Sequence, residues 1–196
     1  MAKNQLHAEK AQAQPHAASV KRVQQRIRLL DRQEKEIKVE LANMVTEDSQ
    51  ASESVKLLRS IPGVGLLTAA SVLAETNSFE LIRNKCQLTS YAGLDVVEKQ
   101  SGTSVRGKPK ISKRGNRFLR KAMHMPALTA IRHDALFKGV FVRLVSKHGV
   151  KMKAVVAVQR KLLEMMYTVH STGVAYDRKY LEKQQKRQQE ASSDVQ

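Results

Sequence analysis

Cysteine, aromatic residues and acidic residues are all scarce in this sequence, and each shortage excludes a class of structure. Cys86 is the only cysteine among 196 residues, which excludes an internal disulfide and a cysteine-based zinc site and predicts a small buried residue in a reducing compartment. Tryptophan does not occur, and aromatic residues make up 4% of the chain. A core must therefore be built from aliphatic residues and Met, and few stretches alternate with a period of two. The sequence predicts a mainly α fold.

The shortage of acidic residues leaves the chain strongly basic. Lys and Arg number 35 against 18 Asp and Glu, a formal net charge of +17, and such a chain is attracted to polyanions. No apolar run reaches the roughly 18 residues of a membrane span, and the first residues lack the apolar core of a signal peptide. We therefore expect a nucleic-acid partner in the cytoplasm and no membrane partner.

The N-terminal part divides into a polar stretch and an amphipathic helix. Residues 1–17 are polar and rich in Gln and Ala, and we expect them to be frayed or disordered. Within 18–50, apolar residues recur at alternating spacings of three and four, with Glu34 at one seam position. This pattern predicts a coiled-coil-like helix that either forms a homodimer through residues 20–44 or folds back on its own domain. The seam comprises Val20, Val23, Ile27, Leu30, Ile37, Leu41 and Met44.

The remaining sequence predicts one compact domain and a tail. Residues 47–52 are polar and indicate a turn or linker. The domain is expected to span 54–176, and the polar residues 177–196 are expected to form a solvated tail.

The first motif of the domain predicts a helix-hairpin-helix. An apolar helix end runs into Pro62-Gly63-Val64-Gly65, and a helix of small residues follows. Glycines permit a tight turn, and free amides at the start of the second helix are suited to a phosphate oxygen. We therefore predict DNA contact by Gly63, Val64 and Gly65, although a turn that only packs two helices has the same pattern.

The second motif is a stretch of single-sign charge from residue 99 to 133, which contains no acidic side chain. An ordinary solvated surface mixes both signs, so this run indicates a polyanion partner. Asn116 is a predicted N-cap, and the spacing of Arg117, Arg120 and Lys121 places them on one helix face. The cations predicted to contact DNA are Arg106, Lys108, Lys110, Lys113, Arg114, Arg117, Arg120 and Lys121, and Lys99 lies in the same run.

Ser101 lies in a Gly- and Ser-rich segment of this basic run. Cations around a serine neutralise a scissile phosphate and stabilise a phosphoryl-transfer transition state. Most serines in such segments are turn residues. Residue types alone therefore leave Ser101 one candidate nucleophile beside Thr103, Ser104, Ser112 and Tyr91.

An ordered series of segments over about residues 57–180 resembles one protein family. The family comprises bacterial insertion-sequence transposases that join an RNase H-like DEDD domain to a C-terminal serine domain and are described as guided by a structured bridge RNA. The segments that carry the resemblance are 61–65 (Ile-Pro-Gly-Val-Gly), 88–94 (Leu-Thr-Ser-Tyr-Ala-Gly-Leu), 100–102 (Gln-Ser-Gly), 111–116 (Ile-Ser-Lys-Arg-Gly-Asn) and 153–163.

The resemblance implies a function that the residues alone do not establish. The serine of the family's Ser-Gly pair is Ser101 here, which implies attack on a DNA phosphodiester, a phosphoserine intermediate and strand exchange. The partners implied are DNA, a guide RNA and a second copy bound through the coiled-coil helix. The location implied is the bacterial cytoplasm.

Two departures from the family matter. Asp95-Val96-Val97 follows the Ala-Gly-Leu where the family often has a proline, and no DEDD set occurs in this sequence. We therefore predict no metal site on this chain and expect Mg²⁺ only with a separate acidic domain. Without that domain the chain is expected to bind nucleic acid and to dimerise but not to catalyse transposition. His124, His133, His148 and His170 are scattered without ligand partners.

Two alternatives to a transposase function stay open. They are a non-catalytic nucleic-acid-binding remnant and a basic RNA-binding protein.

Overall fold

The computed structural model describes residues 2–12, 16–97, 100–101, 105–106 and 110–179. The chain divides into two compact units, Met1–Ser49 and Gln50–Gln196, and each is considered by itself. The described residues are predominantly helical, which confirms the predicted fold class. None of their helices is long and apolar enough to cross a bilayer.

The first unit is a pair of helices, α1 (Ala2–Lys10) and α2 (Ala17–Glu47). The two helices pack on each other, and Lys3 forms an ion pair of 3.3 Å with Asp31. The prediction that residues 1–17 are frayed is thus wrong for Ala2–Lys10. Ala, Gln, Glu and Lys are good helix formers, and no Gly or Pro interrupts them before Pro15, so docking on α2 suffices to hold a helix.

Two seam residues in the C-terminal half of α2 are exposed. Ile37 is 63% exposed and Met44 is 64% exposed. Glu34, the charged member of the seam, pairs at 2.5 Å with Lys38 on the next turn. The predicted linker at 47–52 is nearly absent, because α2 ends at Glu47 and α3 already begins at Ser49.

The described part of the second unit contains short helices, a long closing helix and four short strands that form two antiparallel pairs. Its elements are α3 (Ser49–Arg59), α4 (Leu66–Thr76), α5 (Lys85–Tyr91), β1 (Val96–Val97), β2 (Gln100–Ser101), β3 (Val105–Arg106), β4 (Lys110–Ile111), α6 (Arg117–Ala122), α7 (His124–His133), α8 (Ala135–His148) and α9 (Lys151–Thr172).

The core of this unit is built around α9, which packs against α5, α7 and α8. Val158, Leu162 and Met166 of α9 are fully buried. Cys86 is exposed, so the prediction of a buried cysteine is wrong. It lies on the outer side of α5, whose inward positions are taken by Leu88 and Thr89.

Candidate nucleic-acid interface

The turn between α3 and α4 packs in part against α7. Gly63 has a φ of +90°, and a Cβ at this position would lie 2.4 Å from the carbonyl oxygen of Pro126 on α7. Val64 is buried, and its amide donates to the carbonyl of Ile61 at 3.1 Å. The expectation that the turn's amides point outward is therefore wrong for Val64. Of the three residues predicted to contact DNA, only Gly65, the N-cap of α4, is fully exposed.

Two distant segments, 91–95 and 112–116, interlock into one structure that we call the corner. The amide of Asn116 donates to the Tyr91 carbonyl at 2.6 Å, and the amide of Lys113 donates to the Gly93 carbonyl at 3.1 Å. Gly115 fits so closely that an added Cβ would lie 2.1 Å from the carbonyl oxygen of Tyr91. The Tyr-Ala-Gly-Leu and Lys-Arg-Gly-Asn motifs are therefore two halves of one contact.

Asn116 joins the corner to the neighbouring helices. Its side-chain oxygen accepts from the amides of Phe118 and Leu119 at 2.8 and 3.0 Å, which confirms the predicted N-cap of α6. Its side-chain amide donates to the carboxylate of Glu75 on α4 at 2.5 Å. The Tyr91 hydroxyl donates to the backbone carbonyl of Glu75 at 3.0 Å. The start of α6 is thus fixed from two directions.

Two antiparallel strand pairs, β1 with β4 and β2 with β3, lie between the two corner segments in the sequence, and we call them the hairpin. One of these strands contains Ser101. Val96 and Val97 pair with Ile111 and Lys110, and farther out the backbone of Ser101 pairs with that of Val105. The Gly- and Ser-rich segment is therefore partly strand, and β-branched residues, which favour strands, occupy four of the eight paired positions. The backbone of Gln100 is paired with that of Arg106, so this predicted cation lies on the strand antiparallel to the one that contains Ser101.

Several sequence-predicted residues lie outside the described part of the chain. They are Lys99, Thr103, Ser104 and Lys108. Two other candidate nucleophiles are described, and the hydroxyl of each has a carboxylate or carbonyl partner. The Ser112 hydroxyl donates to the Asp95 carboxylate, and Tyr91 donates to Glu75 as described above.

The predicted cations do not share one role. Lys110, Lys113, Arg114, Arg117 and Lys121 are exposed. Arg120 is half-buried, and its Nη1 donates to the carbonyl of Ala92 at 2.8 Å. Its guanidinium is thus directed toward the corner, whereas Arg117 and Lys121 are exposed.

The exposed cations form no ion pair with a carboxylate of the described residues. The ion pairs among described residues are Lys3–Asp31, Lys38–Glu34 and Arg160–Glu164, and none involves the basic stretch. Lys113 also has a φ of +57°, a left-handed conformation that costs a non-glycine residue free energy. The corner thus presents unpaired positive charge on a constrained backbone.

A shallow groove beside the corner contains a residue that the sequence analysis missed. Tyr91, Arg114, Arg117 and Phe118 line it, together with Glu75 and Asn116. Phe118 is 57% exposed, and the guanidinium carbon of Arg117 lies 4.8 Å from the centre of its ring. The signal in the sequence was an aromatic residue enclosed by cations in Arg117-Phe118-Leu119-Arg120.

No metal centre emerges from the described residues, which contain no group of three or more His, Cys, Asp or Glu side chains able to hold an ion. His124 instead contacts the side-chain amide of Gln159 at 2.8 Å. His170 lies 3.5 Å from the Ser54 hydroxyl and 4.9 Å, centre to centre, from the ring of Phe79. Burial lowers the pKa of His170. These histidines therefore take part in packing.

Comparison with known proteins points to transposases. Residues 55–141 match the model of the Transposase IS116/IS110/IS902 family. The chain is 31% identical over 124 residues to the pilin gene-inverting protein of Moraxella lacunata, covering 63% of this chain and 38% of that protein. It is 37% identical over 87 residues to the transposase for insertion sequence element IS1111A of Coxiella burnetii, covering 43% and 23%.

A third relative is the insertion element IS110 uncharacterized 43.6 kDa protein of Streptomyces coelicolor, 29% identical over 121 residues, 62% of this chain and 30% of that protein. The chain thus spans less than half the length of each of these relatives. The matches confirm the resemblance at the level of the transposase domain. The serine chemistry and the bridge RNA stay predictions.

Proposed function

We propose that this chain is the DNA-binding part of a transposase or related recombinase, with Ser101 as its nucleophile. The match of residues 55–141 to a transposase family carries the proposal. That range includes the corner, the hairpin and the groove. A guide RNA is a further partner that the resemblance implies.

Charge and geometry support DNA as the polyanion. The exposed cations of the corner have no carboxylate partner among the described residues, and a duplex offers phosphates at regular spacing to such a surface. Gly65 at the start of α4 adds backbone donors, which position a protein without reading sequence. We therefore expect strong, salt-sensitive binding with little sequence preference.

The chemical step that we propose is a phosphoryl transfer. The Ser101 hydroxyl oxygen bonds to the phosphorus of a DNA phosphodiester while the bond from phosphorus to one deoxyribose oxygen breaks. The proton of the Ser101 hydroxyl passes to a general base, and the departing deoxyribose oxygen takes up a proton. Attack by a hydroxyl of a second strand would reverse the reaction and release the serine. The described residues contain no group of three or more His, Cys, Asp or Glu side chains able to hold an ion, and any Mg²⁺ would be held by a separate acidic domain.

DNA binding is tested by titrating the chain with a fluorescent duplex at several salt concentrations. Each phosphate contact steepens the dependence of log affinity on log salt by about 0.9. Arg114→Ala and Lys113→Ala should each flatten it by about that amount. Lys161→Ala, an exposed cation of α9, is the matched control and should leave the slope unchanged. A salt-independent wild type would refute DNA binding through the corner.

The serine is tested with nicked oligonucleotides that trap a covalent intermediate, resolved on a denaturing gel. Ser101→Ala should remove the adduct and leave salt-sensitive binding intact. Ser112→Ala, which removes a candidate hydroxyl already bonded to Asp95, should retain the adduct. An adduct that survives Ser101→Ala would show that another residue is the nucleophile.

A non-catalytic binding protein is the alternative. A wild-type chain that binds duplex DNA but forms no adduct, even when the acidic domain of a relative and Mg²⁺ are supplied, would support it. If structured RNA displaces DNA at equal concentration while duplex DNA competes poorly, the chain is instead a basic RNA-binding protein.

We also propose that two copies associate through α2. The exposed Ile37 and Met44 continue the heptad seam, and burying such a seam against a second copy is favourable. Ile37→Lys should shift the chain toward monomer in analytical ultracentrifugation. Val39→Lys is the matched control, because Val39 is 61% exposed on the same helix but lies off the seam. Equal effects of the two substitutions would refute association through the seam.

A further inference from the structure

Phe118 is unusual among the phenylalanines of this chain. All four, Phe79, Phe118, Phe137 and Phe141, lie in the described residues, and Phe79 and Phe137 are buried. Phe118 is 57% exposed although its neighbour Leu119 is fully buried. The Phe118 ring therefore faces solvent, although the adjacent position on the same helix is buried. A single exposed apolar residue is common, so its surroundings must decide whether it has a role.

The surroundings of Phe118 have the chemistry of a nucleobase site. The Arg117 guanidinium lies 4.8 Å from the ring centre, and Arg114 and Tyr91 line the same groove. Aromatic faces and guanidinium planes stack on bases, while nearby cations hold the phosphates on either side. Glu75 is the one acidic residue lining this groove, and its carboxylate already accepts from Asn116.

The position of Phe118 is fixed before any ligand binds. The side-chain oxygen of Asn116 accepts a hydrogen bond from the backbone amide of Phe118 at 2.8 Å. The next residue, Leu119, is buried in the core. The ring can therefore act as a platform with little ordering cost on binding. An apolar protein partner is disfavoured, because two uncompensated arginines flank the ring.

We propose that Phe118 and Arg117 form a stacking platform for one unpaired base of a DNA strand bound at the corner. The inference rests on the proposed DNA binding and specifies the form of DNA that is bound. An intact duplex presents phosphates and base edges but encloses its base faces. A ring at the surface meets a base face only where the strand is single or its stack is opened.

The test uses the absence of tryptophan from this chain. Phe118→Trp introduces a single tryptophan at the platform, and its fluorescence should be quenched on titration with oligothymidine. An oligonucleotide of the same length in which every nucleotide is abasic should bind without quenching the tryptophan fluorescence. Val142→Trp is the control. Val142 is 52% exposed on α8, which does not line the groove, and its tryptophan should stay bright.

Affinity gives a second, independent readout. Phe118→Ala should weaken binding of oligothymidine by about 5- to 150-fold, the range expected for one lost base stack, and change duplex affinity by less than about twofold. Phe118→Tyr should restore the binding, whereas Phe118→Leu, which keeps apolar volume without an aromatic face, should not. Melting temperatures of all variants should match wild type, because the ring is exposed.

The outcomes separate this inference from the proposed function. If Phe118→Ala changes neither the oligothymidine affinity nor the duplex affinity while salt-sensitive duplex binding persists, the platform is refuted and the DNA-binding function stands. Equal quenching of Phe118→Trp by duplex and single strand also refutes the platform. Quenching by RNA but not by DNA refutes DNA as its ligand. A wild-type chain that binds no DNA refutes the proposed function itself.

Discussion

The side chain of Asn116 bonds the carboxylate of Glu75 at 2.5 Å across 41 residues of sequence and at the same time caps α6 with its oxygen. One residue therefore holds the basic helix in register with α4. The consequence is positional, because Arg117 and Phe118 leave the backbone within one helical turn of this anchor. Their placement over the groove depends on Asn116.

We predict that Asn116→Ala lowers the free energy of unfolding by about 1–2 kcal/mol, the usual cost of a lost N-cap. It should also weaken DNA binding, because the start of α6 frays and releases the cations. Urea denaturation and a DNA titration measure the two effects. Asn84→Ala is the matched control. Asn84 caps α5 through a bond to the amide of Gln87 at 2.8 Å, so Asn84→Ala should also lose about 0.5–2 kcal/mol of capping stability but keep its DNA affinity.

Gly115 gives a prediction about packing. In Gly115→Ala the new Cβ would lie 2.1 Å from the Tyr91 carbonyl oxygen, and backbone also lies close on the Gly93 side. Neither neighbour is a flexible side chain, so we expect a loss of about 2 kcal/mol or more of unfolding free energy. Gly139→Ala, in the middle of α8 with open space around it, should instead stabilise by about 0.5–1 kcal/mol. Thermal melts of both variants measure these two changes. A Gly115→Ala variant as stable as wild type would contradict the close packing of Gly115 in the corner.

Local features of the fold were predictable, whereas contacts between distant segments were not. The helical class, the cap at Asn116 and the single-sign charge follow from composition and short-range pattern. Gly115 meeting Tyr91 depends on how α5 and α6 pack, and no local pattern encodes it. The same limit explains Arg120 and Gly63. A cation in a basic run and a glycine in a turn both suggested DNA contact, but packing directs each of them inward.

Arg120 should behave as a structural residue. Its hydrogen bond to the Ala92 carbonyl is made by a charged group, and such bonds contribute about 1.5–3 kcal/mol. Arg120→Met should therefore lower stability by that order and leave the salt dependence of DNA binding unchanged. Arg117→Ala should do the reverse, with unchanged stability and a slope flatter by about 0.9. Identical profiles for the two variants would contradict their separate roles.

Gly63 and Gly65 should likewise separate. Gly63→Ala places a side chain on a backbone with φ of +90° and against Pro126, so we expect a loss of about 2 kcal/mol or more in unfolding free energy. Gly65 has a φ of −92° and no atom near an added Cβ, so Gly65→Ala should fold normally. Any loss of DNA affinity in Gly65→Ala then reports on the surface of α4. Equal melting temperatures for the two variants would refute the inward packing of the turn.

His170 predicts a dependence of stability on pH. Burial lowers the pKa of His170 from its ordinary value of 6.5, so the unfolded chain binds this proton more readily than the folded chain. The stability that the neutral ring contributes is present above pH 6.5 and is lost as the pH falls through the lowered folded value. His170→Gln should therefore show a shallower loss of unfolding free energy below pH 6.5 than wild type. His133→Gln, at an exposed histidine, should track wild type, and a His170→Gln curve parallel to wild type across this range would refute the assignment.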